Sequence, residues 1–296
     1  MNVLTCAFSH GRVWCWYPYH NVSYTNPTEL IFNDTFAGEA LSEYWANRTG
    51  PLTSAAIDGV AFPALSYIVN GSTAIVDAAS TQSPQQYLPA DVDSTILDGY
   101  AMQHSMMRTA LQDVTRAAYE LINANDGVLT VATMRPFSRG SVALSSSSPF
   151  VPPEIDPRYG SNPIDIQVLQ AALSFNQRLL YTDSLSQLQP TQIFPPADAS
   201  DAQVEQYIRN RWQTEYHPAG TCAMLPVELG GVVSPELLVH GTQNLRVVDS
   251  SIMPMLPAAH LQAVVYGIAE KVSWCSLAVR LERRSSSDHV TGRRYD

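Results

Sequence analysis

Apolar residues recur at helical spacing in four segments of the chain. The first segment carries five of them on one helix face: Met106, Ala110, Val114, Ala117 and Leu121. The third segment opens with Ser200 and Gln203, which have the spacing of a capping box at a helix N-terminus. These patterns predict helices over about residues 102–123, 164–181, 200–212 and 258–274.

Runs rich in β-branched residues predict strands between these helices. The clearest run is Gly127–Met134, and residues 141–144 are expected to form its neighbour in a sheet. Leu245–Val248 predicts a short buried strand near the C-terminus. Residues 1–100 show little periodicity and are expected to be mostly loops with short helices or strands. Together these elements indicate an α+β fold.

Composition excludes several classes of protein. The 296 residues are 45% hydrophobic and 15% charged, enough to bury a sizeable core, and their net charge of −10 makes nucleic acid a poor partner. No apolar run approaches the ~18 residues that a membrane-spanning helix needs. Lys271 is the only lysine, and no two glycines are separated by one residue. The chain therefore contains neither a phosphate-binding Gly-Lys-Ser/Thr loop nor the Gly-x-Gly-x-x-Gly dinucleotide fingerprint.

The signals for secretion conflict. Four Asn-x-Ser/Thr sequons make Asn21, Asn33, Asn47 and Asn70 candidates for glycosylation, which would indicate a secreted parent enzyme. Residues 1–8 lack the charged region and the ~7–15-residue apolar stretch of a signal peptide. A fragment whose true N-terminus lies elsewhere would reconcile the two. The four cysteines show no zinc-binding spacing, and no His/Glu spacing fits a metal enzyme, so we expect no metal site.

Two of the seven histidines stand in a chemical context. His217 precedes Pro218 and Gly220, which would hold it at a rigid turn, and His260 lies in the first turn of the last predicted helix. The unpaired N–H groups and positive dipole end of that turn would suit an anion. On spacing alone this pair is weak evidence of function. The other five are expected to be exposed or structural: His10, His20, His104, His240 and His289.

Longer strings around these histidines carry a resemblance. The strings are HPAGTCAM at 217–224, GGVV at 230–233, LVHGTQNLRVVDSSIM at 238–253 and AHLQAVVYGIAE at 259–270. In order and spacing they resemble the C-terminal signature of the glucose–methanol–choline (GMC) flavoprotein oxidoreductases. The clear similarity spans about residues 135–275. Leu256–Gln262 is most similar to the alcohol dehydrogenases and oxidases of fungal natural-product pathways.

The resemblance implies FAD-dependent oxidation of a small alcohol. His217 matches the family's base, which takes the hydroxyl proton, and His260 matches the second member of the pair, which holds the developing alkoxide. An imidazole with a pKa near ~6.5 suits the first role. The resemblance also implies flavin contacts by four further residues: Asp249, Ser250, Leu261 and Gln262. From the residues alone, Asp249 is equally well explained as a helix or turn cap.

The family pattern is incomplete in this chain, since the glycine fingerprint that binds the ADP part of FAD is absent. The resemblance therefore implies a GMC-type substrate-binding domain, an antiparallel sheet with helices, plus the last strand and helix of an incomplete FAD-binding α/β domain. We predict a substrate-binding portion at 1–205, a return carrying the histidine pair at 206–275 and a disordered basic tail at 276–296. The missing N-terminal half of the enzyme is the expected partner. The alternative is a catalytically inactive truncated or partner module that retains the substrate-domain fold.

Overall fold

A computed structural model describes residues 5–21, 29–54, 59–69, 73–89, 91–124 and 127–273. The strands are β1 (Thr5–Trp16), β2 (Gly59–Ala61), β3 (Tyr119–Ala124), β4 (Val128–Thr133), β5 (Gly140–Ala143), β6 (Glu154–Asp156) and β7 (Gln213–Ala219). The helices are α1 (Glu29–Phe32), α2 (Asp34–Asn47), α3 (Leu65–Ile68), α4 (Thr73–Thr81), α5 (Ser94–Gln112), α6 (Pro163–Leu180), α7 (Asp183–Ser186), α8 (Asp201–Arg211) and α9 over residues 262–273. None of the described helices is long and apolar enough to cross a membrane.

The strands form one antiparallel sheet in the order β2-β3-β4-β1-β5-β6, and β7 also pairs with β1. Strand β1 is the central strand of the sheet, because it pairs with β5 at its start, with β7 in its middle and with β4 at its end. β1 thus brings together strands that are more than 200 residues apart in sequence, Phe8 facing Ala219. The antiparallel sheet with helices confirms the predicted fold class.

The main core lies between this sheet and the helices α3 to α6. α6 starts as its sequence dictates: the Asn162 side chain accepts a hydrogen bond from Ile164 N, and Pro163 fills the first helical position. Asp165, in the same turn, accepts the backbone N–H groups of Phe137 and Ser138 at 2.7 and 2.8 Å. These two bonds fasten the loop between β4 and β5 to the helix.

Two of the four predicted helices are confirmed with small shifts at their ends. They are α6 and α8, and the capping box of Ser200 and Gln203 is present at the start of α8. The prediction over 102–123 was wrong at both ends, because α5 covers Ser94–Gln112 and residues 119–124 form β3. Asp113 ends the helix by accepting the backbone N–H and the hydroxyl of Thr115, which turns the chain toward the sheet.

The expectation of mostly loops in residues 1–100 was also wrong. β1 is a 12-residue strand and α2 a 14-residue helix. The alternation at the end of β1 is hidden in the sequence, because the exposed positions Trp14 and Trp16 are hydrophobic like the buried ones around them. Residues 140–143 do form a strand, but β5 pairs with β1 and β6 rather than with β4.

The C-terminal region departs from expectation in two places. Residues 245–248 form only isolated bridge contacts, such as Leu238 with Arg246, because no described strand lies alongside them. The last helix begins at 262 rather than 258, since Pro254 and Pro257 keep the preceding chain irregular. The proposed tail at 276–296 lies outside the described residues. The division near residue 205 stays a prediction.

Candidate active site

His217 lies at an irregularity in β7 rather than at the predicted turn. Ser9 of β1 faces Pro218, and Gly11 faces Thr214, so that His10 alone lies opposite three residues of β7. The extra length forms a bulge in which Tyr216 has a φ of 60°. Bulges of this kind redirect side chains beside functional sites. Here the bulge places His217 next to His10.

His260 reaches the same place from another direction. The backbone of 220–224 runs beside 250–252 through three hydrogen bonds, including Cys222 N to Ser251 O at 2.9 Å. The next residue, Leu261, is buried against Ala219, Met253 and Leu256. Because this small core fixes the chain on both sides of the site, the rings of His217 and His260 lie 5.2 Å apart, centroid to centroid.

His10 is a member of this group that the sequence did not reveal. Its side chain has no exposed surface, and its Nδ1 lies 3.1 Å from Nδ1 of His217. Burial is the largest cause that lowers the pKa of His10 to about 3, and His217 adds to it. Burial, followed by His260 and Arg12, lowers the pKa of His217 to about 4. Both imidazoles are therefore neutral at pH near ~7.

Two buried carboxylates complete the group. Glu120 of β3 is fully buried, and its Oε1 lies 2.6 Å from Nε2 of His260, whose own side chain is 42% exposed. Glu215, in the β7 bulge, faces Arg12 at 3.4 Å. Burial raises the pKa of Glu120 and of Glu215, and the neighbouring side chains His260 and Arg12, respectively, oppose that rise. No sequence motif marks Glu120 or Glu215. The register of the sheet, and not a local sequence pattern, brings both residues next to the histidines.

A metal ion is a second use that this geometry allows. Glu120, Glu215 and His260 each offer one ligand atom, and the three atoms lie within 4.8 Å of one another. The short contact between Glu120 and His260 is explained without an ion, because a ring N–H of His260 can donate a hydrogen bond to the Glu120 side chain.

An open cleft of about 860 Å³ lies near the histidine pair, although neither His217 nor His260 is among the residues that line it. Its walls include Tyr216 and Pro218, the two neighbours of His217, and the predicted flavin contacts Asp249 and Ser250. The aromatic side chains of Tyr159 and Trp212, which stack at 6.0 Å, also line it. This composition, an apolar wall with a few polar groups, is typical of a small-molecule site.

The four predicted flavin contacts fall into two groups. Asp249 caps the turn at 250–252 by accepting Ser251 N, and Ser250 donates its hydroxyl to Pro218 O at 3.0 Å. Both remain on the cleft wall, where a carboxylate and hydroxyls suit the hydroxyl-bearing chain of a flavin. Leu261 is buried, and Gln262 is exposed at the N-terminus of α9. Most of α9 faces solvent, and His260 precedes this helix instead of lying in its first turn as the sequence predicted, because the helix begins only at 262.

Three of the four sequon asparagines are exposed. Asn21 donates its amide to Gln187 O, and Asn33 caps α2 through its Oδ1. Asn47 is the last residue of α2, and Asn70 lies outside the described residues.

Comparison with known proteins decides the family. The GMC oxidoreductase model for the C-terminal domain matches residues 136–269, which include both histidines of the pair. The chain belongs to the GMC oxidoreductase family. A curated relative, the dehydrogenase xptC of Emericella nidulans, is 34% identical over 254 residues, which are 84% of this chain and 41% of the relative. This chain thus spans about two fifths of that relative's length.

Comparison with solved structures gives the same result: nearly all of this chain matches about half of each longer oxidoreductase. An FAD-dependent oxidoreductase from Chaetomium thermophilum is 25% identical with a TM-score of 0.88, and the match covers 95% of this chain and 49% of that one. A fungal aryl-alcohol oxidase is 30% identical with a TM-score of 0.82, covering 91% and 47%. The GMC chain described here therefore corresponds to about half of these oxidoreductases.

Proposed function

We propose that this chain supplies the substrate side and the histidine pair of an FAD-dependent alcohol oxidation. The observation that carries the proposal is the meeting of the His217 and His260 rings at 5.2 Å, centroid to centroid. His217 comes from a strand bulge and His260 from the segment just before α9, 43 positions further along the chain, and each matches a family histidine. In the proposed reaction the substrate hydroxyl binds between the two rings.

The proton of the alcohol goes to His217 in this proposal. The hydroxyl holds its proton tightly near pH ~7, and a neutral imidazole beside it is a suitable acceptor. Burial and neighbouring charges lower the pKa of His217 to about 4, which keeps the ring unprotonated at neutral pH but makes it a weaker base than a free imidazole. His260 is held by the carboxylate of Glu120 at 2.6 Å, so that its ring has a fixed orientation. Bound FAD would supply the acceptor for the hydride of the carbinol carbon.

FAD binding requires more protein than the described residues provide. Asp249 and Ser250 on the cleft wall would contact the flavin, but the chain carries no glycine fingerprint for the ADP part. On α9, Val264 and Tyr266 are 37% and 67% exposed. We therefore propose that the working unit includes the N-terminal portion found in the longer relatives, which would cover α9 and complete the nucleotide site. A natural-product alcohol as substrate stays a prediction of the sequence.

Co-expression with the N-terminal portion of a GMC relative tests the proposal. Success is a yellow complex with about one FAD per chain, whose flavin is bleached anaerobically by an aryl or aliphatic alcohol. The isolated 296-residue chain is expected to purify without flavin. A complex that binds FAD but is not bleached by any alcohol supports instead the inactive substrate-domain module. Stoichiometric FAD on the isolated chain would refute the need for a second portion.

A further inference from the structure

The contact between His10 and His217 constrains where protons lie. Nδ1 of each ring faces Nδ1 of the other at 3.1 Å, and a hydrogen bond at this distance needs one proton between two nitrogens. Two neutral rings satisfy it in only two ways, with the proton on His10 or on His217. A protonated Nδ1 on both rings would leave two donors facing each other.

The two arrangements differ in what His217 can do. If His10 donates, neutral His217 must carry its own proton on Nε2 and has no free lone pair for a substrate proton. If His217 donates through Nδ1–H, its Nε2 is bare and can act as a base. After proton uptake at Nε2, the Nδ1–H of the imidazolium still has an acceptor on His10. Only the arrangement in which His217 donates to His10 keeps this hydrogen bond in both the neutral and the protonated state of the His217 ring.

We propose that His10 is the positioning residue of His217: it accepts the Nδ1–H of His217 and so leaves Nε2 bare to take the alcohol proton. In the proton transfer, the substrate O–H bond breaks and the Nε2–H bond forms, while the Nδ1–H bond of His217 stays intact. This inference rests on the function proposed above. It assigns to a third, buried histidine the orienting task that an acidic residue performs in hydrolase triads.

The surroundings keep the His10 ring neutral, and a neutral ring accepts at Nδ1 when its own proton is on Nε2. The ring is fully buried between strands, opposite the bulge that carries His217. Burial and nearby positive charge lower the pKa of His10, which keeps its ring neutral. The titratable and charged groups around the pair come from β1, β3, β7, the segment after β4 and the segment before α9: Arg12, Glu120, Glu215, Arg135 and His260.

Nitrogen-detected tautomers provide a direct test on the isolated chain. The chain is labelled with ¹⁵N-histidine, and two-bond ¹H–¹⁵N spectra at about pH 7 distinguish protonated from bare ring nitrogens. We expect Nδ1 of His217 to carry a proton and its Nε2 to be bare. In His10→Leu, which has no acceptor, the Nε2–H form of His217 should gain population. In His10→Asn the side-chain oxygen can accept, so the Nδ1–H form should return.

His104→Leu is the matched control, because His104 is also a buried histidine but packs on Tyr100 and Phe137. It should leave the His217 signals unchanged. A bare Nδ1 on His217 in the unmodified chain overturns the proposal, and so does an unchanged His217 tautomer in His10→Leu. If His10→Leu does not fold, the unmodified chain and His10→Asn still decide, since a bare Nδ1 in either contradicts it.

Kinetics of the co-expressed complex give a second readout. His10→Leu should lower kcat roughly 10- to 100-fold with little change in KM, the factor that a hydrogen bond to a charged group supplies. His10→Asn should recover most of that loss. A complex that lacks alcohol oxidation altogether refutes the proposed function, but the tautomer spectra stand independently of FAD and substrate. If KM changes by as large a factor as kcat in both His10→Leu and His10→Asn, the result contradicts a positioning role for His10.

Discussion

The buried, neutral state of His10 makes the stability of the fold sensitive to acid. In the unfolded chain a histidine takes up its proton near pH ~6.5, whereas burial lowers the pKa of His10 to about 3 in the folded protein. Between these values the unfolded state binds one proton more than the folded state. The stabilising contribution is therefore fully present above pH ~6.5 and is lost as the pH falls toward ~3.

The magnitude follows from the size of the shift. Each pH unit in this window costs about 1.4 kcal/mol of unfolding free energy per such histidine. From about pH 7 to about pH 5, His10 alone accounts for roughly 2 kcal/mol. We therefore expect His10→Asn, which has no ring to protonate, to reduce the loss of stability over this interval by about 2 kcal/mol.

Urea unfolding of the two chains, followed by far-ultraviolet circular dichroism at both pH values, measures this difference. His20→Asn is the matched control, because His20 is an exposed histidine hydrogen-bonded to Thr191. It should keep the pH dependence of the unmodified chain. If the unfolding free energies of the unmodified chain and of His10→Asn change equally with pH, the pKa of His10 is not lowered by folding, because His10 is then protonated as easily in the folded as in the unfolded state.

Three further predictions address the fold and the site. Asp165→Ala should cost about 2–4 kcal/mol in urea unfolding, because two buried N–H groups lose their acceptor, whereas the exposed Asp198→Ala should stay within about 0.5 kcal/mol. Gly99→Ala should lower Tm, because its Cβ would lie 2.2 Å from Leu229 O. Gly38→Ala should raise Tm, because its Cβ would meet open space in α2. Equal Tm shifts for the two variants would contradict the packing at Gly99. Glu120→Gln in the co-expressed complex should lower kcat about tenfold by weakening the hold on His260, and unchanged kcat would show that this contact is not needed.

Local sequence patterns were enough to predict two of the helices. The capping box at Ser200 and the apolar period after Asn162 are complete within one turn, so α8 and α6 could be placed from the sequence. β1 could not, because its pairing with three strands depends on residues more than 200 positions away. The end of α5 depended on a side-chain turn at Asp113, which competes with a continuing apolar period.

The candidate site divides in the same way. His217 and His260 lie within contiguous strings, and the family resemblance of those strings was enough to pair them. His10 and Glu120 are single residues in unrelated strands, and only the β-sheet register and the β7 bulge bring them to the pair. Residues that act through a longer-range contact carry no local motif, so the supporting half of the site needed a structure.

In the proposed reaction, His217 takes the substrate proton beside a bound flavin. Stopped-flow bleaching of the flavin by alcohol under anaerobic conditions measures this step, with His217→Ala compared against the unmodified complex at equal FAD content. We expect FAD to stay bound and bleaching to slow by roughly 10²- to 10⁴-fold, the contribution of a general base. Bleaching of His217→Ala at the unmodified rate would contradict it.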